Sequence, residues 1–84
     1  TMKHIIFSKH AIKQMTDRGA SKEEVAQTIR EGETFPAKHG RIAYRHNFQY
    51  NSRWGNKFYH IKQVMPITKE EISIIVITVY TLYF

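Results

Sequence analysis

His10, Lys62, Thr78 and Tyr80 are the side chains whose types could carry acid–base chemistry on a phosphate ester. His10 stands two residues after Ser8, at what reads as the accessible start of a helix, where an imidazole can take a proton near neutral pH. Thr78 and Tyr80 are i, i+2 neighbours in a strand-forming run, so alternation sets a hydroxyl beside a phenol on the face that also carries Val76. The opposite face, Ile75, Ile77 and Val79, is uniformly apolar and is predicted to be core. Lys62 would supply a fixed cation and Arg45 is its alternative; alternation gives Lys62 and His60 a common face and puts Arg45 and His46 on opposite ones. Against each role stands a plainer one, a half-exposed histidine without a task, or Thr and Tyr as ordinary strand formers.

Other chemistries are excluded by what is missing. Without cysteine there are no disulfides, thiolate zinc sites or cysteine nucleophile. His39, His46 and His60 lack paired spacing and carboxylate companions, so no metal site is expected, and no cofactor. No glycine-rich phosphate loop, nucleophile elbow or paired carboxylate set is present, which removes nucleotide hydrolases, serine hydrolases, typical glycosidases and two-metal nucleases.

The charge pattern names the expected partner. Between Thr34 and Lys69 there is no acidic residue, yet that window holds seven Lys and Arg, three histidines and seven aromatics including Trp54. The net charge of +6 is therefore concentrated in one region. Phosphate neutralisation needs a contiguous cationic surface, and aromatic rings offer stacking platforms for unpaired bases, so nucleic acid is the first expectation. Arg18, Arg45, His46, Arg53, Trp54, Lys57 and His60 are the candidate RNA-binding residues. A solvated sheet face or an acidic protein partner is the competing reading of the same charges.

These residues need a scaffold, and 84 residues make one domain with a single modest core. Lys3 to Phe7 reads as a short strand, and Ser8 can cap a helix over Lys9 to Arg18 that stops at Gly19. Ser21 with Glu24 forms a capping box, starting a second helix from Lys22 to Glu31 that stops at Gly32. After Pro36 the apolar period becomes two: a strand through Ile42 to Tyr50, a turn over Asn51–Asn56, and a strand from Lys57 to Met65 ended by Pro66. Ile72 to Tyr83 is the strongest strand signal. The expectation is an α+β fold, two N-terminal helices packed on a four-stranded, mainly antiparallel sheet in the order β-α-α-β-β-β. No charged-then-apolar leader opens the chain, and the longest apolar run is too short to cross a bilayer, so a soluble domain without membrane anchoring is expected.

The run Phe7-Ser8-Lys9-His10-Ala11, followed by Met15, Arg18-Gly19, Ser21 and Val25, resembles the domain of unknown function 4258 family, as does the closing Ile75-Val76-Ile77-Thr78-Val79-Tyr80. That family looks related to the barnase, EndoU, colicin D and RelE group of small ribonuclease folds, the BECR fold. The segment from Arg45 to Trp54, with Lys62-Gln63-Val64, further resembles toxin modules at the C-termini of bacterial contact-dependent or polymorphic toxins. The resemblance implies a metal-independent endoribonuclease toxin that cleaves RNA, tRNA among the possible targets, by 2′-hydroxyl attack. His10, Lys62 or Arg45, Thr78 and Tyr80 would be its catalytic group, with His46 and His60 as candidates for a second catalytic histidine. It also implies an acidic immunity protein or antitoxin as partner, and action in the cytoplasm of a target cell after delivery within a larger secreted toxin. The alternative is a non-catalytic RNA-binding or RelE/ParE-like regulatory module.

Overall fold

The computed structural model describes residues 3–84. Local signals build the N-terminal half. The Ser8 hydroxyl accepts from the Ala11 amide at 3.0 Å and starts helix α1 (Lys9–Arg18), which turns Ala11 and Met15 into the core. Gly19 ends it in the left-handed region at φ 78°, where a side chain would be strained. Helix α2 (Lys22–Glu31) opens with the complete capping box, Ser21 Oγ accepting from the Glu24 amide at 3.1 Å and Glu24 Oε1 accepting from the Ser21 amide at 3.0 Å. Val25, Thr28 and Ile29 form its buried face.

Five strands make one mixed sheet among the described residues: β1 (Ile5–Phe7), β2 (Glu33–Pro36), β3 (Ile42–Trp54), β4 (Lys57–Glu70) and β5 (Ile74–Tyr83), in the spatial order β1-β5-β4-β3-β2. β1 runs parallel to β5 and every other pairing is antiparallel. The α+β class and the two helices stand as expected, but the strand number does not. Glu33–Pro36 is a further strand, paired with Arg45 back to Ile42; at four residues ending in proline it is too short to show an alternating pattern.

Three boundaries also move, each for a physical reason. Pro66 lies inside β4, fully buried, instead of ending it. Its missing N–H coincides with a stretch of the β3–β4 ladder, between the pairs Ala43↔Ile67 and His46↔Val64, where Tyr44 and Arg45 make no bridge. The expected six-residue turn shrinks to Gly55 and Asn56, with Gly55 at φ 64°, because β3 bulges at a left-handed Asn51 (φ 46°) and then continues to Trp54. Finally, β5 does not alternate cleanly. Val79 pairs with Pro66 but Val76 pairs with Thr68, so Ile77 is one residue extra. Ile74 and Val76 before this bulge and Val79 after it face the helices, whereas Ile75, opposite Lys69, lies on the other face. The predicted core face of Ile75, Ile77 and Val79 is thus corrected.

Val25, Val64, Val76 and Val79 have no exposed surface, and each contributes roughly 1.5–3 kcal/mol through burial. The long β3–β4 hairpin matches the 40 Å extent of the molecule, since 13 residues rise about 43 Å. Exposure grows toward its tip.

Candidate functional site

Among the described residues, β5 has no strand beside it on the β1 side beyond Val76, because β1 reaches only from Ile5 to Phe7. Helix α1 lies along that free edge and satisfies part of it. The Ser8 amide donates to Val76 O at 3.1 Å and the Ser8 hydroxyl to Ile77 O at 3.2 Å. One step further, Gln14 Oε1 accepts from the Val79 amide at 2.9 Å and Arg18 Nη1 donates to Val79 O at 2.7 Å. Such side-chain capping blunts an edge that would otherwise template another strand.

His10, Gln14 and Arg18 follow one another at i, i+4 spacing and form a single stripe of α1. His10, exposed, lies one helical turn, about 5.4 Å, before Gln14. At the other end of the stripe the Arg18 guanidinium sits 5.2 Å over the ring of Tyr80, which is 46 % exposed. Thr78, half-buried, and Tyr80 both lie on the sheet face turned away from the core, opposite Ile67 and Met65. The fold therefore brings Arg18, Thr78 and Tyr80 to one edge, and His10 lies on the same helical stripe about 12 Å before Arg18. Gln14 is the member that the residue types did not suggest, although its spacing from His10 and Arg18 was visible in the sequence.

Lys62 belongs elsewhere. Its ammonium is buried on the helix side of the sheet, donating to Glu24 Oε1 and to Gly19 O, both at 2.8 Å. A cation so engaged ties the α1–α2 junction to β4 and is not free to meet a phosphate. Nor does Lys62 act with His60. The amides of His60 and Ile61 both donate to Phe84 O, at 3.1 and 2.7 Å, the pattern of a bulge that breaks alternation.

The other basic residues divide among three settings. Arg45 lies on the open face, bonded to both oxygens of Glu33 at 3.3 Å and 5.4 Å over the Phe35 ring. His46 is turned to the helix side, opposite Val64, with its ring edge-on to Phe48. Arg53, Lys57 and His60 occupy the exposed hairpin tip, and among the described residues no carboxylate lies within ion-pairing distance of Arg53 or Lys57.

An aromatic cluster joins the hairpin tip to the end of α1. Trp54 stacks on Tyr83 with ring centroids 5.0 Å apart, and Tyr50 and Tyr59 approach the same ring at 5.2 and 5.6 Å. The Tyr83 hydroxyl donates to Arg18 O at 2.7 Å. Burial, then Tyr50 and Glu24, push the Tyr83 phenol up to about 12. Tyr44, hydrogen-bonded to Glu70, is likewise raised to about 12, by burial first and then by that carboxylate. Gly19 is where the cluster meets the helix: a Cβ there would lie 2.6 Å from the Tyr83 hydroxyl and 2.7 Å from the Trp54 ring.

Among the described residues, no three His, Asp or Glu side chains converge as metal ligands, and no helix is long and apolar enough to cross a membrane. The fold and site define a small two-layer α+β domain with a basic, aromatic hairpin and a histidine-bearing helix along a free strand edge. Residues 7–81 match the family described as Domain of unknown function (DUF4258), and the chain belongs to that family. No curated protein and no solved structure matches it.

Proposed function

We propose that this chain acts on RNA as a metal-independent endoribonuclease, with its site on the α1–β5 edge and the basic hairpin as its substrate-holding arm. The single observation that carries the reading is that exposed His10 shares a helical stripe with Arg18, whose guanidinium lies over the Tyr80 ring at the β5 edge. In this reading His10 removes the proton from a ribose 2′-hydroxyl, and the freed oxygen attacks the adjacent phosphorus. The bond to the 5′-oxygen breaks, the Tyr80 hydroxyl protonates that leaving oxygen, and a cyclic 2′,3′-phosphate remains. Arg18 stabilises the negative charge of the pentacoordinate phosphorus, while Thr78 donates a hydrogen bond to a phosphate oxygen. Each proton transfer of this type contributes roughly 10²–10⁴-fold. Lys62 has no part in it, because its ammonium is buried on the helix side and donates to Glu24 and Gly19.

The toxin setting belongs to the same proposal. A net charge of +6, concentrated in the acid-free window from Thr34 to Lys69, favours rapid, salt-sensitive capture by an acidic immunity protein or antitoxin. An RNA substrate points to action in the cytoplasm, and delivery into a target cell as part of a larger secreted toxin is the setting that the resemblance to toxin modules suggests. A BECR or RelE-like relationship is the fold-level counterpart of this reading. A second reading, a non-catalytic RNA-binding or regulatory module, is favoured by the exposed basic and aromatic hairpin tip, which can bind RNA without any catalytic group.

Incubation with total RNA in EDTA separates the two. Discrete fragments ending in cyclic phosphate, abolished by His10→Ala in a folded protein, support the ribonuclease. Intact RNA with salt-dependent retardation supports the binding module.

A further inference from the structure

Phe58 is 47 % exposed at the hairpin tip, and its one close aromatic neighbour is the exposed ring of His60, edge-on at 5.2 Å. The core does not use it. Arg53 stands directly across the ladder from Phe58, so their Cβ atoms are roughly 5 Å apart. The Arg53 guanidinium is anchored at the turn by its bond to Asn56 O at 3.1 Å, which engages one nitrogen and leaves its other donors available. His60 is held from behind, with Nδ1 3.3 Å from Asn51 Oδ1. In the tautomer that donates from Nδ1 to that amide oxygen, Nε2 is the acceptor of the neutral ring. Asn51 itself is the left-handed bulge residue (φ 46°), a conformation that costs energy and concentrates at functional positions.

We infer that this tip is a clamp for single-stranded RNA: one unpaired base stacks on Phe58, Arg53 takes the adjoining phosphate, and His60 Nε2 accepts a hydrogen bond from the base edge. The inference deepens the RNA reading and rests on it. Charge complementarity selects the occupant, since neither Arg53 nor Lys57 has a carboxylate neighbour among the described residues and the hairpin carries no acidic residue from Ile42 through Lys69. Single strands are selected because a ring can stack only on a base whose face is uncovered, whereas a duplex hides the base faces within its stack and offers phosphates, 2′-hydroxyls and base edges.

The test measures fluorescence anisotropy of a labelled oligouridylate of about ten nucleotides, within the range one such site spans, and of a blunt RNA duplex of equal length. His10→Ala serves as the background so that the probe stays intact. The single strand is expected to bind more tightly than the duplex. Phe58→Leu is expected to weaken single-strand binding roughly 5- to 150-fold, the loss of one base–aromatic stack, while leaving duplex binding unchanged. Phe58→Tyr, which keeps the planar ring, is expected to retain single-strand affinity, and Arg53→Gln to lower the log–log salt slope by about 0.7. Equal binding of single strand and duplex, or unchanged single-strand affinity in Phe58→Leu, overturns the clamp. If the parent binds no RNA, the proposed function falls and takes the clamp with it; if the parent binds or cleaves RNA while Phe58→Leu matches it, only the clamp falls.

Discussion

Replacing Lys62 with methionine should unfold the domain at lower temperature without removing a phosphate contact. The ammonium is buried and makes two 2.8 Å bonds, one to a carboxylate and one to a carbonyl, and methionine fills similar volume without donating to either. Breaking a fully buried pair costs about 3–5 kcal/mol, but the Glu24 side chain is 23 % exposed and keeps the Ser21 amide, so about 2–3 kcal/mol is the better figure. For a domain of this size, 1 kcal/mol lowers the melting temperature by about 4–8 °C, so a fall of roughly 8–24 °C is expected. Pairing the change with Glu24→Gln should recover part of the loss, because glutamine can keep the capping box while removing the orphaned charge. Thermal unfolding followed by circular dichroism gives the melting temperature, and RNA binding across a salt series gives the charge count. A Lys62→Met protein that melts like the parent yet loses about 0.7 from its log–log salt slope would refute the reasoning, for Lys62 would then be a phosphate ligand.

His10→Ala should melt within about 2–4 °C of the parent, as exposed positions change stability by no more than about 0.5 kcal/mol, while losing RNA cleavage; cleavage at the parental rate by the folded variant removes His10 from the chemistry. Gly19→Ala should cost at least about 2 kcal/mol, combining left-handed strain with the collision against Tyr83 and Trp54, and should reduce near-ultraviolet dichroism from the aromatic cluster. Tyr80→Phe should keep RNA binding and lose turnover, since the ring that supports Arg18 is preserved and only the hydroxyl is gone. At alkaline pH the folded Tyr44 and Tyr83 hold protons up to about 12 whereas their unfolded forms release them near 10. Stability should therefore be intact below pH 10 and fall as pH rises toward 12, and Tyr44→Phe should flatten that fall in urea titrations.

Both helices were legible because their limits are set by neighbours in sequence. Ser8, Gly19 and the Ser21–Glu24 box act within a few residues, and the structure returns Lys9–Arg18 and Lys22–Glu31 as read. The acid-free stretch was equally plain, and it becomes the long hairpin. What the sequence alone could not decide depends on pairing between distant strands. Nothing near residue 33 announces that Glu33–Pro36 pairs with β3, and nothing near Ile5 that β1 runs parallel to β5. One extra residue at Ile77 exchanges the faces of β5, and a bulge at His60 and Ile61 separates His60 from Lys62, because side-chain alternation holds only while the register is unbroken. The same long-range geometry tied Lys62 to Glu24 on the helix side and set Gln14 and Arg18 against the β5 edge. A residue's type and spacing state which chemistry it can perform, but its partner comes from elements tens of residues away, and that choice is made only when helices and sheet pack together.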